Sequence, residues 1–378
     1  MKRADILVIG GGIAGVSAAA RFAPRAQTLL LEREAALGYH ASGRSATFYH
    51  FGIGDTIVRG LTAASRSFFT DPPDDPDAPP LSQPKSAMFF ATTETMDQLR
   101  ALETEMRRFS DDISAIGPAD MLAIVPPLKV GEEGAVEGLL DTGGRKLDAD
   151  LLLQTNARLL RAAGGEICFN AGVTGIAHDG SGWIVDTAGE SYAAPVVVNA
   201  AGAWADELAA MAGVRPLGLT ALRRTIIGFD PPPGLAITDW PFLKTVADDG
   251  FYMLPDAGRL LASPMDVTPS PACDAQPDDY DMALAAWRVE QATTLTVDRI
   301  ALKWAGLRSF VADKVPTAGF APDAPGFFWL AGQGGYGLQT SPAMALAAEA
   351  LLFDLHWPDR LAEQGVRPHH LRPERLFG

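Results

Sequence analysis

Gly10, Gly12 and Gly15 stand in a G-x-G-x-x-G spacing between an apolar run, Ile6 to Ile9, and an alanine-rich segment that continues to about Phe22. A second apolar run, Thr28 to Leu31, ends on Glu32, about 20 residues beyond the glycines. Those residue types at that spacing can bind a dinucleotide. Gly10 permits a tight turn, Gly12 lets the backbone approach a pyrophosphate, and Gly15 lets the following helix lie close on the strand. The first helical turn, with Ile13 and Ala14, presents free N–H groups and a partial positive charge to phosphates. Glu32, with Arg33 beside it, offers a carboxylate to ribose hydroxyls. The motif by itself does not separate NAD from FAD.

The motif needs a strand, a turn, a helix and a second strand, so the chain opens as an α/β unit. Lys2 and Arg3 before a run of small residues superficially resemble a secretion leader. The acid at Glu32 argues instead for a strand end within a domain. The 378 residues suffice for two domains, and 47% hydrophobic with 20% charged residues is an ordinary globular composition. A net charge of −15 speaks against nucleic acid or an anionic membrane as the main partner. The two cysteines, Cys168 and Cys273, are expected as free thiols. They form no C-x-x-C pair and the six histidines form no ligand cluster, so no metal is expected. No stretch reaches membrane-spanning length without charges, which makes the cytoplasm the expected location.

Further along, Gly38 to Ala46 is polar and glycine-containing, and Thr47 to Gly54 is aromatic and bracketed by glycines. The second segment is either a buried loop or a mobile loop at a site mouth, hinged at Gly52 and Gly54. Residues 55–70 read as a helix. Five prolines and four aspartates within 71–80 read as a solvated loop between domains. Expected strands are 86–91, 134–141, 167–176, 182–187 and 196–200. Expected helices are 94–109, 111–125 and 148–163, with another running to about Ala212. From Leu219 the pattern turns to β, with strands at 223–229, 242–247, 250–254 and 259–263, then a helix over 279–294. A strand over 302–310 precedes a last strand, 326–331. A glycine turn, Gly332 to Gly337, then leads into a helix expected from Thr340 or Ser341.

The chain resembles the FAD-dependent D-amino-acid oxidase and glycine oxidase family over nearly its whole length. The likeness rests on Val8 to Glu34, Gly38-Tyr39-His40 with Gly43 to Ala46, and Val198 to Trp204. Gly213 to Leu219, Trp304 to Phe310 and Gln333 to Gly337 complete it. Within the family it looks most like the bacterial D-arginine dehydrogenases. The resemblance implies a discontinuous Rossmann-type FAD-binding domain (1–80, 142–218 and 303–378). An α+β substrate domain with a mixed, largely antiparallel sheet would complete the chain (81–141 and 219–302). It implies that Gly43, Arg44, Ser45 and Ala46 line the flavin, and that Val173, Ala201, Gly202 and Trp204 lie near the adenosine half. Gly306 would border the flavin, and Gly334, Gly335, Tyr336, Gly337, Leu338, Gln339 and Thr340 would wrap the ribityl chain and the flavin edge. No cysteine or histidine occupies Gly43–Arg44 or the last glycine turn, so non-covalent FAD is expected.

The same resemblance implies an amino-acid substrate, a small molecule with a carboxylate to be gripped. Arg308 matches the family's carboxylate-binding arginine and Tyr252 a tyrosine that bonds the same group. Arg223 and Arg224 are consecutive on a strand, so only one can face the site; Arg223 is the one expected there. Gly335 would offer its carbonyl to the amine, with Gln339 near both groups. Where the D-arginine dehydrogenases have a glutamate, a histidine and a lid tyrosine, this chain has Ala87, Phe48 and Ile53. All three changes remove polar groups. A guanidinium buried without a carboxylate is costly, so a neutral D-amino acid is the expected substrate, with Lys85 a hint of an acidic one. The expected reaction is hydride loss from Cα to the flavin, followed by hydrolysis of the imino acid to a 2-oxo acid and ammonia. Oxidation of glycine or of a secondary amine such as sarcosine or proline, and an electron-transfer subunit with no amine chemistry, are the alternatives. The electron acceptor (oxygen, quinone or carrier) is left open.

Overall fold

A computed structural model describes residues 1–71 and 79–377. Most of the proline-aspartate stretch expected as a boundary loop falls outside the described residues.

A six-stranded sheet carries the dinucleotide motif. Its order is Glu166–Cys168, Thr28–Leu31, Ile6–Ile9, Val196–Asn199, Phe327–Ala331 and Thr317–Phe320. All neighbours are parallel except the last pair. Four of its strands are near-continuous apolar runs, as a sheet covered on both faces requires. Helix Ile13–Phe22 packs between helix Ala149–Ala162 and helix Gly337–Leu352. Ala18, Ala19, Ala347 and Ala348 are fully buried, and their small side chains allow this close approach. Glu349 clamps the layer by accepting from Arg21 Nε at 2.7 Å and Arg25 Nε at 2.8 Å.

An eight-stranded sheet forms the second layer: Leu302–Phe310, Thr220–Phe229, Arg259–Ser263, Tyr252–Asp256, Phe242–Thr245, Ala87–Ala91, Glu137–Asp141 and Ile113–Ile116. Every pairing is antiparallel but one, between Phe242–Thr245 and Ala87–Ala91. Side chains alternate strictly. Ala87, Phe89, Ile226, Phe242, Tyr252 and Leu254 face the dinucleotide layer. Met88, Phe90, Ile227, Leu243 and Met253 pack on the outer side against helix Asp279–Ala292. A slip of one residue in any strand would exchange the two faces. The fold is thus a Rossmann-type unit assembled from separated segments, roofed by a mixed, largely antiparallel sheet.

Three local expectations are corrected. Residues 111–125 hold a strand, Ile113–Ile116, before helix Pro118–Ile124. The expected strand over 167–176 is two strands in different sheets, divided by a turn with Asn170 at φ 54°. The last helix starts at Gly337, three or four residues earlier than the expected Thr340 or Ser341; Pro342 lies inside it, and the Leu338 carbonyl that Pro342 cannot bond accepts from Ser341 Oγ at 2.9 Å. Short strands at Lys2–Arg3, Ser191–Ala194 and Thr317–Phe320 carry too few residues to show a period.

Candidate active site

The glycines of the motif occupy three different environments. Gly10 has φ 111°, and a side chain there would strike the Ala200 carbonyl. A side chain on Gly15 would overlap the Gly10 carbonyl oxygen. At Gly12 the only neighbour a Cβ would meet is Ser42 Oγ at 3.4 Å. Gly12 therefore borders open space, the mouth of a long cleft between the two layers.

Two helices aim their N-termini into this cleft. Helix Ile13–Phe22 starts at Gly12 and helix Gly337–Leu352 at Tyr336, and neither has a side-chain cap. Of the first helix's amides, Ile13 N–H is taken by Ser42 Oγ at 2.9 Å. The uncapped amides give the cleft two anion-binding ends. At one end Glu32 accepts from Gly11 N–H at 2.5 Å and Glu34 N–H at 2.8 Å. A carboxylate has about four lone-pair positions, which leaves capacity for ribose hydroxyls. Arg33 lies over the Trp204 ring at 4.3 Å, and His40 is 4.6 Å from the same ring. Together an open glycine, two uncapped helix ends and a ribose-type acid fit an elongated, pyrophosphate-linked group such as FAD.

All the cofactor residues expected from sequence line the cleft except Gly15, Gly43, Tyr336 and Thr340. Those four shape the walls. Gly43 N–H bonds the Gly38 carbonyl at 2.8 Å, and Thr340 Oγ1 bonds the Tyr336 carbonyl at 2.9 Å. Arg44 does line the cleft, but its guanidinium is a strut. It donates to the carbonyls of Ala275 (3.0 Å) and Ala305 (3.1 Å) and pairs with Asp274 at 2.6 Å, tying this loop to the roof.

At the roof end, Arg308, Tyr252, Gly335, Gln339, Phe48 and Ile53 line the cleft. A Cβ on Gly335 would lie 3.4 Å from Arg308 Cδ and 3.5 Å from Ile53 Cδ1, so these three surround one small space. Arg308 Nη2 donates to the Asp266 carbonyl at 2.8 Å, and its Nε has no partner. Burial, then the Arg224 charge, disfavours its cationic form. Asp266 is positioned by Met265 at φ 55°, and its carboxylate accepts from Thr225 N–H at 2.8 Å. Gln339 is committed elsewhere. Its Nε2 donates to the His50 carbonyl (3.2 Å) and Thr62 Oγ1 (2.7 Å), so it holds His50, just beyond strand Phe48–Tyr49, rather than offering its amide to a ligand.

Two expected site residues are not in the cleft. Arg223 points to the other side, where it pairs with Asp281 at 2.7 Å. Register explains this. Leu222 lies directly opposite Arg308 and Arg224 directly opposite Gly306, so Arg224 shares the cleft face and Arg223 does not. Arg224 donates to the Asp266 carbonyl at 3.2 Å and lies 5.7 Å from the Tyr252 ring centre. Ala87 is fully buried behind the lining, opposite Phe242 on one side and Asp141 on the other. Lys85 also turns away and donates to the Thr238 carbonyl. Gly52 packs flat on Phe89 with no room for a Cβ, which by itself accounts for glycine there.

Three more lining residues carry no local signal in the chain. His50 stacks on Phe242 at 4.9 Å and 25°. Its Nδ1 accepts from Gly52 N–H at 3.0 Å, and burial lowers its pKa to about 3, so the ring is neutral with its proton on Nε2. Phe242 stacks on Tyr252 (5.4 Å) and touches Phe48 (4.9 Å), completing an aromatic wall. Lys244 lies directly opposite Tyr252 on the neighbouring strand.

Asp141, behind Ala87, is fully buried with Oδ2 unpartnered, and burial raises its pKa from 3.8 to about 6. Below about pH 4 folded and unfolded states both hold its proton and there is no penalty; above about pH 6 the folded state bears a buried charge. Asp141→Asn should therefore stabilise by about 1–3 kcal/mol at about pH 8 and not at about pH 4. A Tm difference that does not change with pH would contradict this.

Glycine oxidase of Geobacillus kaustophilus is 25% identical over 93% of this chain and 93% of its own. Its solved structure superposes with a TM-score of 0.80 at 22% identity, covering 94% and 96% of the two chains. FAD-bound L-α-glycerophosphate oxidase from Mycoplasma pneumoniae superposes at 0.81 with 21% identity, covering 93% and 95%. Rat mitochondrial dimethylglycine dehydrogenase is 26% identical over 69% of this chain and 31% of its own. Residues 5–351 match the family described as "DAO: FAD dependent oxidoreductase", and the chain, with its dinucleotide cleft under a cationic roof, belongs to that family.

Proposed function

We propose that the chain catalyses oxidative deamination of a D-amino acid without a cationic side chain. The observation that carries this is Arg308, a half-buried guanidinium that lines the cleft beside Tyr252 and Gly335 with no carboxylate side chain bound to it among the described residues. A substrate carboxylate supplies the missing anion in a bidentate pair, and the Tyr252 hydroxyl adds a further donor. The Gly335 carbonyl accepts from the substrate amine and fixes Cα. FAD, when bound, supplies the acceptor for the hydride that leaves Cα. The amine must be neutral at that moment. Arg224, Lys244 and Arg308 make this end of the cleft positive, which favours loss of the ammonium proton to solvent. His50 is not a base here, because Nδ1 is occupied and Nε2 carries the proton. Water then hydrolyses the imino acid to a 2-oxo acid and ammonia.

The D configuration is supported by the family resemblance. The narrower likeness to D-arginine dehydrogenases does not extend to their substrate, since cations line the cleft where a guanidinium would need a carboxylate. A second reading, oxidation of glycine or an N-methylated amine, is favoured by the relatives' names. FAD is proposed to be non-covalent, and acid precipitation should leave its yellow colour in the supernatant. Anaerobic titration with D-, L- and N-methyl amino acids tests both readings. Bleaching of the flavin by primary D-amino acids is expected. Bleaching only by glycine, sarcosine or proline supports the second reading, and bleaching by no amine overturns both.

A further inference from the structure

Lys244 lines the cleft, and the amino-acid reading gives it no group to bind. It lies directly opposite Tyr252 in the antiparallel ladder, so both side chains rise on the cleft face. Its Nζ donates only to the Thr245 carbonyl, at 3.1 Å, and it pairs with no carboxylate among the described residues. Two other lysines, outside the roof strands, are engaged: Lys146 with Asp256 at 3.0 Å and Lys85 with the Thr238 carbonyl.

On the opposite flank of the Tyr252 ring lies Arg224, whose Nε is bound to Asp266 but whose terminal nitrogens make no hydrogen bond among the described residues. Two cations thus bracket one aromatic ring. Asp266 offers only partial compensation, since Thr225 already bonds its carboxylate, and Asp248 beyond Lys244 is exposed. The acids that line the cleft, Glu32 and Glu207, neighbour Arg33 and the Trp204 turn at the nucleotide end. His50, stacked on the same aromatic wall, adds a neutral N–H donor through Nε2.

The α-carboxylate satisfies Arg308, leaves Lys244 without an anion, and leaves Arg224 with only the Asp266 carboxylate, 3.6 Å from its Nε and already bonded by Thr225. We propose that the substrate carries a second carboxylate, and that Lys244 and Arg224 bind it over Tyr252. This rests on the amino-acid oxidation proposed above and names its substrate class: acidic D-amino acids. The aromatic wall of Phe48 and Phe242 then packs on the methylene stem, while the charged end is gripped. Loss of polar groups at Phe48, Ile53 and Ala87 is compatible with this, since an anionic side chain needs no acid partner. Burial and the Arg224 charge push the Lys244 ammonium down to about 8, the direction expected of a cation held without its anion.

Isosteric acid and amide pairs test it on the holoenzyme: D-glutamate against D-glutamine, and D-aspartate against D-asparagine, followed by anaerobic flavin reduction. The acid of at least one pair should exceed its amide in kcat/KM by about 100-fold. Lys244→Met should bring that ratio towards unity and Lys244→Arg should restore most of it, with flavin content and visible spectrum reporting that each variant is folded. An amide that equals or exceeds its acid in both pairs overturns the proposal. So does a ratio unchanged in Lys244→Met, including the case where that variant slows only reoxidation. If D-leucine or D-methionine bleaches the flavin and none of the four does, the second carboxylate is overturned and amino-acid oxidation stands. If no amine bleaches it, both fall.

Discussion

Replacing Arg308 by methionine should lower kcat/KM for the amino-acid substrate by about 10³-fold, mostly through KM, with FAD content unchanged. The side chain is already ordered by its bond to the Asp266 carbonyl, so little entropy is lost when a carboxylate arrives. Its Nε has no partner and its charge is disfavoured by burial and by Arg224, so the incoming anion relieves a cost the protein bears when empty. Methionine keeps the volume and removes the cation. The substrate carboxylate is then desolvated against Ile53 and Gly335 with only the Tyr252 hydroxyl as donor, a loss of about 3–5 kcal/mol. Lysine at this position keeps the charge but not the planar fork, and should recover only part of the loss. Arg223→Ala is the control. It lies on the neighbouring strand with its side chain on the other face of the sheet and its loss leaves Asp281 unpaired, so Tm should fall by about 2–4 °C while kcat/KM stays within a few-fold. Normal kinetics in Arg308→Met would remove this residue from the site.

The Arg223/Arg224 outcome shows where sequence reading stops. Two adjacent arginines must face opposite ways, and that much is visible in the chain. Which one faces the cleft depends on the partner strand, because Arg224 is fixed by lying opposite Gly306 in a ladder closed by residues about 80 positions away. Lys244 and Phe242 were missed for the same reason. Nothing local distinguishes Phe242-Leu243-Lys244-Thr245 from any amphipathic strand until Tyr252 is set beside it. His50 was hidden among aromatic residues, and its neutral donor form depends on a bond from Gly52. The N-terminal unit was legible almost residue by residue, since its strand, turn, helix and acid are consecutive and each glycine has a local steric reason. The expected strand over 167–176 failed because the backbone turns at Asn170 into another sheet without a proline or glycine to mark it; Gly172 is the nearest cue.

Those steric reasons separate what the motif does for the fold from what it does for the cofactor. Gly15→Ala should give a protein that does not accumulate in folded form. Its methyl would occupy the Gly10 carbonyl oxygen, an overlap between backbone atoms that no rotamer change can relieve. Either the helix lifts from the strand, opening the contacts of Val16, Ala19 and Phe22, or Gly10 leaves the φ of 111° that only glycine holds cheaply. Both routes cost more than about 4 kcal/mol. Gly12→Ala should behave differently. Gly12 has φ −72° and ψ 176°, a conformation alanine adopts freely, and the added methyl meets only Ser42 Oγ at 3.4 Å. The apoprotein should therefore fold with a Tm within about 2 °C of the wild-type apoprotein. The methyl nevertheless stands where a pyrophosphate would approach the helix amides, so FAD affinity should fall by about 100-fold or more, giving a folded but colourless preparation. Circular dichroism and thermal melts report the fold, and flavin absorbance after dialysis against FAD reports the site. A yellow Gly12→Ala protein with wild-type affinity would mean that the pyrophosphate does not pass over Gly12, and a colourless, unfolded one would mean that this glycine serves the fold as Gly15 does.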